Sequence, residues 1–323
     1  MGHNTVDNME VMELGILFNI KHVRIVVTGA MGFIGSHFVN YIKSQEPTLS
    51  ILVVDSLTYA ANPNNIKHKV EFLQKDICDV TAEDLGDYDY LINFAAESHV
   101  DNSITDGSPF VKTNVYGTFN LLEVARKNKN LKKFIQISTD EVYGDMDDYT
   151  EYDAFGHPVM ADKTFPLKAS SYYSATKASA DLLVEAAGRT YKLPYMITRT
   201  CNNYGENQHQ EKFIPTLVNC IKKEIPVPMY GDGKNEREWI HADDNARMIW
   251  TLTKSRLQGV HHISSGERYT NLMVVKLAQY VCGADFKIEY IEDRKGHDRR
   301  YGLTSEHSLN SSNNLGKYLC SVL

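Results

Sequence analysis

A basic surplus, paired cysteines and long apolar runs are all missing from this 323-residue chain. Lysine and arginine number 34 against 41 acidic residues, a formal charge of −7. A chain so balanced has no field to draw nucleic acid, although small anions are bound by local geometry whatever the net charge. The five cysteines (Cys78, Cys201, Cys220, Cys282, Cys320) are odd in number and never spaced C-x-x-C. That argues against a disulfide framework and a zinc cage, and a reducing, cytoplasmic setting is expected. No apolar stretch approaches the roughly 18 residues of a membrane span. One short apolar run, Val11 to Phe18, is preceded by acidic residues and lacks a basic n-region. Residues 1–20 therefore read as an N-terminal extension and not as a secretory signal. The chain as a whole, 42% hydrophobic and 23% charged, is ordinary for a soluble globular protein.

Short β-branched or apolar runs recur at Val23–Thr28, Ser50–Asp55, Val70–Leu73, Tyr90–Phe94, Phe134–Ser138 and Tyr195–Thr200. Helical stretches are expected from Gly32 to about Ser44, from about Phe110 to Asn128, and from Tyr172 to Tyr191. Strands alternating with helices imply β-α-β units and a parallel sheet covered on both faces. The fold class expected is α/β, with a Rossmann-like doubly wound sheet over residues 21–200. Past Cys201 the pattern breaks into loops around Asn202-Asn203-Tyr204-Gly205, Pro226-Val227-Pro228 and Gly231-Asp232-Gly233. Residues 201–323 are expected to form a smaller, irregular substrate-binding portion, interleaved with the sheet.

The first strand runs into Gly29-x-x-Gly32-x-x-Gly35. Glycines at this spacing allow a tight turn, close backbone approach to a pyrophosphate and close helix packing. Phe33 and Ile34 open the helix, whose free N–H groups and dipole favour phosphate. Asp55 ends the second strand twenty residues after Gly35. A carboxylate there accepts both adenosine ribose hydroxyls and repels a 2′-phosphate, so NAD is expected over NADP. Ala95 and Ala96 are small enough for a cofactor to lie against, and Asp76-Ile77 are placed to meet adenine.

Tyr173 and Lys177 stand four residues apart on one helix face. A neighbouring cation stabilises phenolate, so Lys177 is expected to lower the Tyr173 pKa toward that of a general base. Asp140-Glu141 follows Thr139 at the end of the fifth strand. Adjacent carboxyls in a partly desolvated site keep a proton on one member, which suits a reaction needing both an acid and a base.

With these features the chain resembles the extended short-chain dehydrogenase/reductase superfamily, and within it the nucleotide-sugar 4,6-dehydratases of the dTDP-glucose or UDP-glucose type. The matching stretches are TGAMGFIGS (28–36), AAESHVD (95–101), STDEVYG (138–144), YSATK (173–177), NNYG (202–205) and GHDRRY (296–301). The resemblance implies oxidation of the sugar at carbon 4, loss of water across carbons 5 and 6, and return of hydride to carbon 6. Tyr173 would be the base at the carbon 4 hydroxyl, Asp140 the acid at carbon 6 and Glu141 the base at carbon 5. Lys177 would also hold the nicotinamide ribose, and the cofactor side extends to Leu57, Thr58, Ser98, Thr113 and Asn203. Arg237, Arg294 and His297 would face the diphosphate. Asn202, Lys212, Pro228, Tyr230 and Asn271 would line nucleotide and sugar, with His99 and Thr139 at the hexose. The chain departs from the family pattern at Asn102, Lys295 and His262. A homodimer is implied, formed by the helix carrying Tyr173 and the one before the fifth strand, with Leu182, Leu183, Leu121 and Leu122 as candidate contacts. The alternatives are a 4-epimerase or decarboxylase of the same superfamily, which lack the full Asp-Glu pair, and a non-catalytic NAD-binding scaffold.

Overall fold

A computed structural model describes residues 23–148, 159–305, 307 and 313–323; the expected extension at 1–20 lies outside them. Six strands precede the change in texture: β1 (Arg24–Thr28), β2 (Ser50–Asp55), β3 (Glu71–Gln74), β4 (Tyr90–Asn93), β5 (Lys133–Thr139) and β6 (Tyr195–Thr200). Six follow it: β7 (Asn202–Tyr204), β8 (Val227–Tyr230), β9 (Glu236–His241), β10 (Gly259–Ile263), β11 (Arg268–Thr270) and β12 (Ile288–Ile291). The main sheet runs β10-β6-β5-β4-β1-β2-β3, and every pairing in it is parallel.

Alternate residues of the strands feed two cores, as the period of two requires. Ile25, Val27, Ile51 and Val53 pack with Phe38, Ile42 and Trp250. Val26, Leu52 and Val54 pack on the other face with Leu121, Leu122 and Val184. The strand order reverses between β1 and β4, so the crevice for a ligand opens at their carboxyl ends. Thr28 and Asn93 face each other there, the threonine hydroxyl donating to the Asn93 Oδ1 at 2.6 Å. Beyond β6 the chain makes the small sheet β11-β9-β7 and the pair β12-β8 around a third core that includes Tyr204, Leu217 and Trp239.

Two elements differ from expectation. The stretch from Phe110 is not one helix: Ser108–Phe110 is followed by a π-helix over Val111–Gly117 and an α-helix over Thr118–Ala125. Within that wider turn, buried Asn114 clasps the Glu97 backbone and the Thr176 hydroxyl. The second is β10, which returns from the C-terminal half to extend the main sheet beside β6. Two adjacent histidines, His261 and His262, hid it, yet both are buried.

The proposed contact leucines also divide. Leu121 and Leu122 belong to the core, whereas Leu182 is exposed together with Val111, Tyr116, Phe119 and Tyr172. Among the described residues no helix is long and apolar enough to cross a membrane.

Candidate active site

The crevice encloses about 740 Å³, within the usual range of small-molecule sites. At one end the β1 turn is built from contacts that leave no room for side chains. Gly29 has φ +66°, and a Cβ on it would lie 2.4 Å from the Ala95 nitrogen. A Cβ on Gly35 would lie 2.5 Å from the Gly29 carbonyl oxygen. Gly32 differs, since the nearest atom to its Cβ would be 3.3 Å away. Gly32 is also the N-cap of the helix Phe33–Gln45, which has neither a side-chain cap nor an acid in its first turn. Its first N–H groups therefore face the cleft, where an anion satisfies them.

Asp55, buried at the end of β2, accepts from the Met31 N–H through Oδ2 and the Leu57 N–H through Oδ1, both at 2.9 Å. Two N–H donors fix the carboxylate, and each oxygen keeps a lone pair for a hydroxyl. Gly29, Gly32, Phe33, Ile34, Gly35, Asp55, Thr58, Asp76, Ile77, Ala95, Ala96, Ser98, Thr113 and Asn203 all line the cleft. Leu57 does not: its backbone serves Asp55 from a left-handed conformation (φ +56°), and its side chain packs on the core.

At the other end stand Thr139, Asp140, Glu141, Tyr173 and Lys177. Thr139 ends β5 and caps a 3₁₀ turn, Asp140–Tyr143, by accepting from the Glu141 N–H. It also donates to Asp140 Oδ1 at 3.1 Å. Asp140 is 3% exposed, and its second oxygen is buried with no hydrogen-bond partner among the described residues. Loss of water, with the Glu141 charge beside it, pushes the Asp140 pKa up to about 8. Burial raises Glu141 too, but Arg294, Arg237 and Lys212 pull in the opposite direction. The environments thus favour the proton on Asp140 and the negative charge on Glu141.

Tyr173 corrects the sequence expectation. Burial and the Glu141 and Asp140 charges raise its pKa, against the Thr139 hydrogen bond that lowers it. Lys177 does not counter this, because its Nζ donates to the Ile137 carbonyl at 2.5 Å. Burial brings the lysine itself down to about 8, with Asp181 acting the other way.

The substrate-side expectations fare unevenly. Asn202 and Lys212 line the cleft, and the Asn202 Oδ1 is buried with no hydrogen-bond partner among the described residues. Lys212 Nζ donates to the Ser98 carbonyl at 2.9 Å. His99, Pro228, Tyr230, Arg237, Asn271, Arg294 and His297 fall outside the cleft lining. His99 caps the helix Val100–Thr105 and lies 3.8 Å from Glu211. Pro228 and Tyr230 sit on β8, and Asn271 opens a helix with its N–H on the Asn235 carbonyl. Arg237 is buried, donates to the Glu236, Asp298 and Arg299 carbonyls, and lies 4.2 Å over the Tyr301 ring. Arg294 is 3.6 Å from Asp101, and its Nε is buried with no hydrogen-bond partner among the described residues. His297 Nδ1 pairs with Asp293 at 2.6 Å, and burial lowers its pKa to about 4. Sequence reasoning missed Asn114, whose only local sign was a small polar residue amid a helical pattern. It also missed Glu211, which lines the cleft and receives the Tyr59 hydroxyl at 3.2 Å.

A doubly wound sheet whose cleft is lined by a glycine turn, a carboxylate fixed at the end of β2 and a Tyr–Lys pair defines a dinucleotide-dependent class. Within it, the chain belongs to the NAD dependent epimerase/dehydratase family, which residues 25–266 match. It is 41% identical to a dTDP-glucose 4,6-dehydratase of Streptomyces griseus, over 87% of this chain and 85% of that protein. The Low-salt glycan biosynthesis protein Agl12 of Haloferax volcanii is 43% identical over 86% of this chain and 89% of its own length. Among solved structures, the Streptomyces venezuelae dTDP-glucose 4,6-dehydratase DesIV, with NAD and TYD bound, is 37% identical. It superposes with a TM-score of 0.85, covering 93% of this chain and 95% of that one. A UDP-glucose 4-epimerase of Thermotoga maritima shares the fold (TM-score 0.82, 92% and 96% covered) at 26% identity.

Proposed function

We propose that this chain is an NAD-dependent nucleotide-sugar 4,6-dehydratase, a hydro-lyase acting on dTDP-glucose. The observation that carries the reading is the Asp140–Glu141 pair beside Tyr173, its two members held in unequal fields. The relatives' names supply the thymidine nucleotide.

The cleft fits the cofactor: the uncapped helix end suits a pyrophosphate and the fixed Asp55 carboxylate a ribose. Lys177 would hold the second ribose. When bound, NAD⁺ supplies a hydride acceptor at sugar carbon 4 and, once reduced, a hydride donor at carbon 6. Tyr173 takes the proton of the carbon 4 hydroxyl, with Thr139 hydrogen bonded to the same oxygen. That step requires the Lys177 ammonium to turn from the Ile137 carbonyl toward the phenol, lowering its pKa. The 4-ketone acidifies carbon 5, whose proton passes to Glu141. Asp140 gives its proton to the departing carbon 6 hydroxyl, releasing one water, and the Glu141 proton later returns to carbon 5. Lys212, which with Arg237 and Arg294 acts on the Glu141 carboxylate, suits the diphosphate.

Incubation with dTDP-glucose and, separately, UDP-glucose tests this, read by the 4-keto product absorbing in alkali and by kcat/KM. A 4-epimerised sugar with no loss of water would favour the epimerase alternative, and silence with both sugars would defeat the reading.

The exposed face of Val111, Tyr116, Phe119, Tyr172 and Leu182 suits a homodimer. Sedimentation at low concentration is expected to show a dimer that Leu182→Glu weakens. Five cysteines, none of them bonded, fit the reducing cytoplasm.

A further inference from the structure

Tyr173, Lys177 and Asp181 follow one another at intervals of four on the helix Tyr172–Tyr191, so they form one stripe. The first two belong to the chemistry proposed above; the third is 0% exposed and has no role in it. Its Oδ2 accepts from the Ser138 hydroxyl and from the Arg199 Nε, each at 2.9 Å. Ser138 immediately precedes Thr139 and Asp140 on β5, and Arg199 lies on β6. One carboxylate therefore ties the helix of Tyr173 and Lys177 to the strand that ends in the acid–base pair. Arg199 is held in turn, its Nη1 donating to the Tyr143 hydroxyl at 2.7 Å. That hydroxyl meets His262 Nε2 at 2.6 Å, and His262 Nδ1 meets the Thr304 carbonyl at 2.9 Å. His262 is thus the far anchor of the line.

A buried ion pair is a poor source of stability, since apolar side chains of similar volume commonly serve as well. Burial raises the Asp181 pKa, while Arg199, Lys177 and the Ser138 hydrogen bond pull it down, and what the pairing provides is a carboxylate held in place one turn from Lys177. We propose that Asp181 is the positioning counter-ion of Lys177, keeping its ammonium charged in a dry site, and that Arg199 holds Asp181 in place. Lys177 shares the Asp181 helix; β5 offers the Ser138 hydroxyl and the neutral Ile137 carbonyl; β6 offers Arg199. Tyr143 of the 3₁₀ turn and His262 of β10 lie beyond Arg199, and Asp162 acts on both. Burial drives the Lys177 proton off, and the Asp181 field opposes that loss.

The proposal deepens the dehydratase reading, but its test needs no substrate. Competitive acetylation of the purified protein across pH, followed peptide by peptide, reports the titration of Lys177 itself. In the parent the midpoint is expected near 8. Asp181→Asn is expected to move it down by about one pH unit or more, and to shift the alkaline limb of kcat with KM little changed. Because Asp181→Asn strands a buried arginine, Asp181→Asn/Arg199→Met removes both charges. The double variant is expected to fold with a melting temperature near the parent's while keeping the lowered midpoint. An unmoved midpoint in either folded variant overturns the proposal, as does an ordinary lysine midpoint in the parent. Restored kcat in the double variant also overturns it, since the pair would then matter only for packing. A parent with no dehydratase activity would defeat the earlier reading and leave the acetylation result standing.

Discussion

The two ends of the cleft are built by opposite means. At the NAD end the parts are backbone: a turn pressed onto the Ala95 backbone, a helix end without a cap, and a carboxylate held by two N–H groups. At the sugar end the parts are ionisable side chains whose state depends on what surrounds them, Asp140 and Glu141 above all. On the proposed function, the first end binds because its shape is fixed and the second reacts because its charges are uneven. The same sheet supplies both, since β1 and β2 end at one and β5 at the other.

Separate lesions should separate the two ends, and the largest effect falls at the sugar. Tyr173→Phe removes the proposed base at carbon 4, so turnover is expected to fall by about 10²–10⁴-fold with NAD affinity retained. Stopped-flow absorbance would then show no reduced nicotinamide. Next comes the glycine turn. Gly35→Ala forces a methyl to 2.5 Å from a carbonyl oxygen and is expected to cost about 1–3 kcal/mol, seen as a lower melting temperature. Gly32→Ala, with 3.3 Å to its nearest neighbour, is expected to fold normally and weaken NAD binding alone, measured by fluorescence titration. Asp55→Asn follows, with NAD affinity lower by about tenfold and the preference over NADP narrowed. The smallest effect is on stability. The folded pKa of Asp140 stands above its unfolded value, so its share of stability falls as pH rises from the ordinary carboxylate range to about 8. Asp140→Asn removes that loss, and its melting temperature is expected to exceed the parent's by a few degrees above pH 8, with the gap closing in acid.

The same contrast decides what could be read from sequence. The glycine spacing, Asp55 and the helix over Tyr172–Tyr191 are local patterns, and the structure places them as read. β10 was hidden because its buried polar His262 has partners, Tyr143 and Thr304 among them, that are remote in the chain. The π-turn at Asn114 was hidden because its partners lie at Glu97 and Thr176. Lys177 at four residues from Tyr173 suggested a lowered phenol pKa. Spacing reveals neither the Ile137 carbonyl that holds the ammonium nor the carboxylates that oppose phenolate. The substrate arm was hardest, since most of what surrounds Arg237, the Asp298 and Arg299 carbonyls and the Tyr301 ring, is remote in the chain.

The most direct test disables the carboxylate pair and leaves the NAD end whole. Asp140→Asn/Glu141→Gln is mixed with dTDP-glucose while nicotinamide absorbance and sugar mass are followed together. The expected result is reduced nicotinamide that accumulates on the protein, with no sugar that has lost water. Release of a 4-keto-6-deoxy sugar at the parent's rate would contradict the assignment of elimination to Asp140 and Glu141.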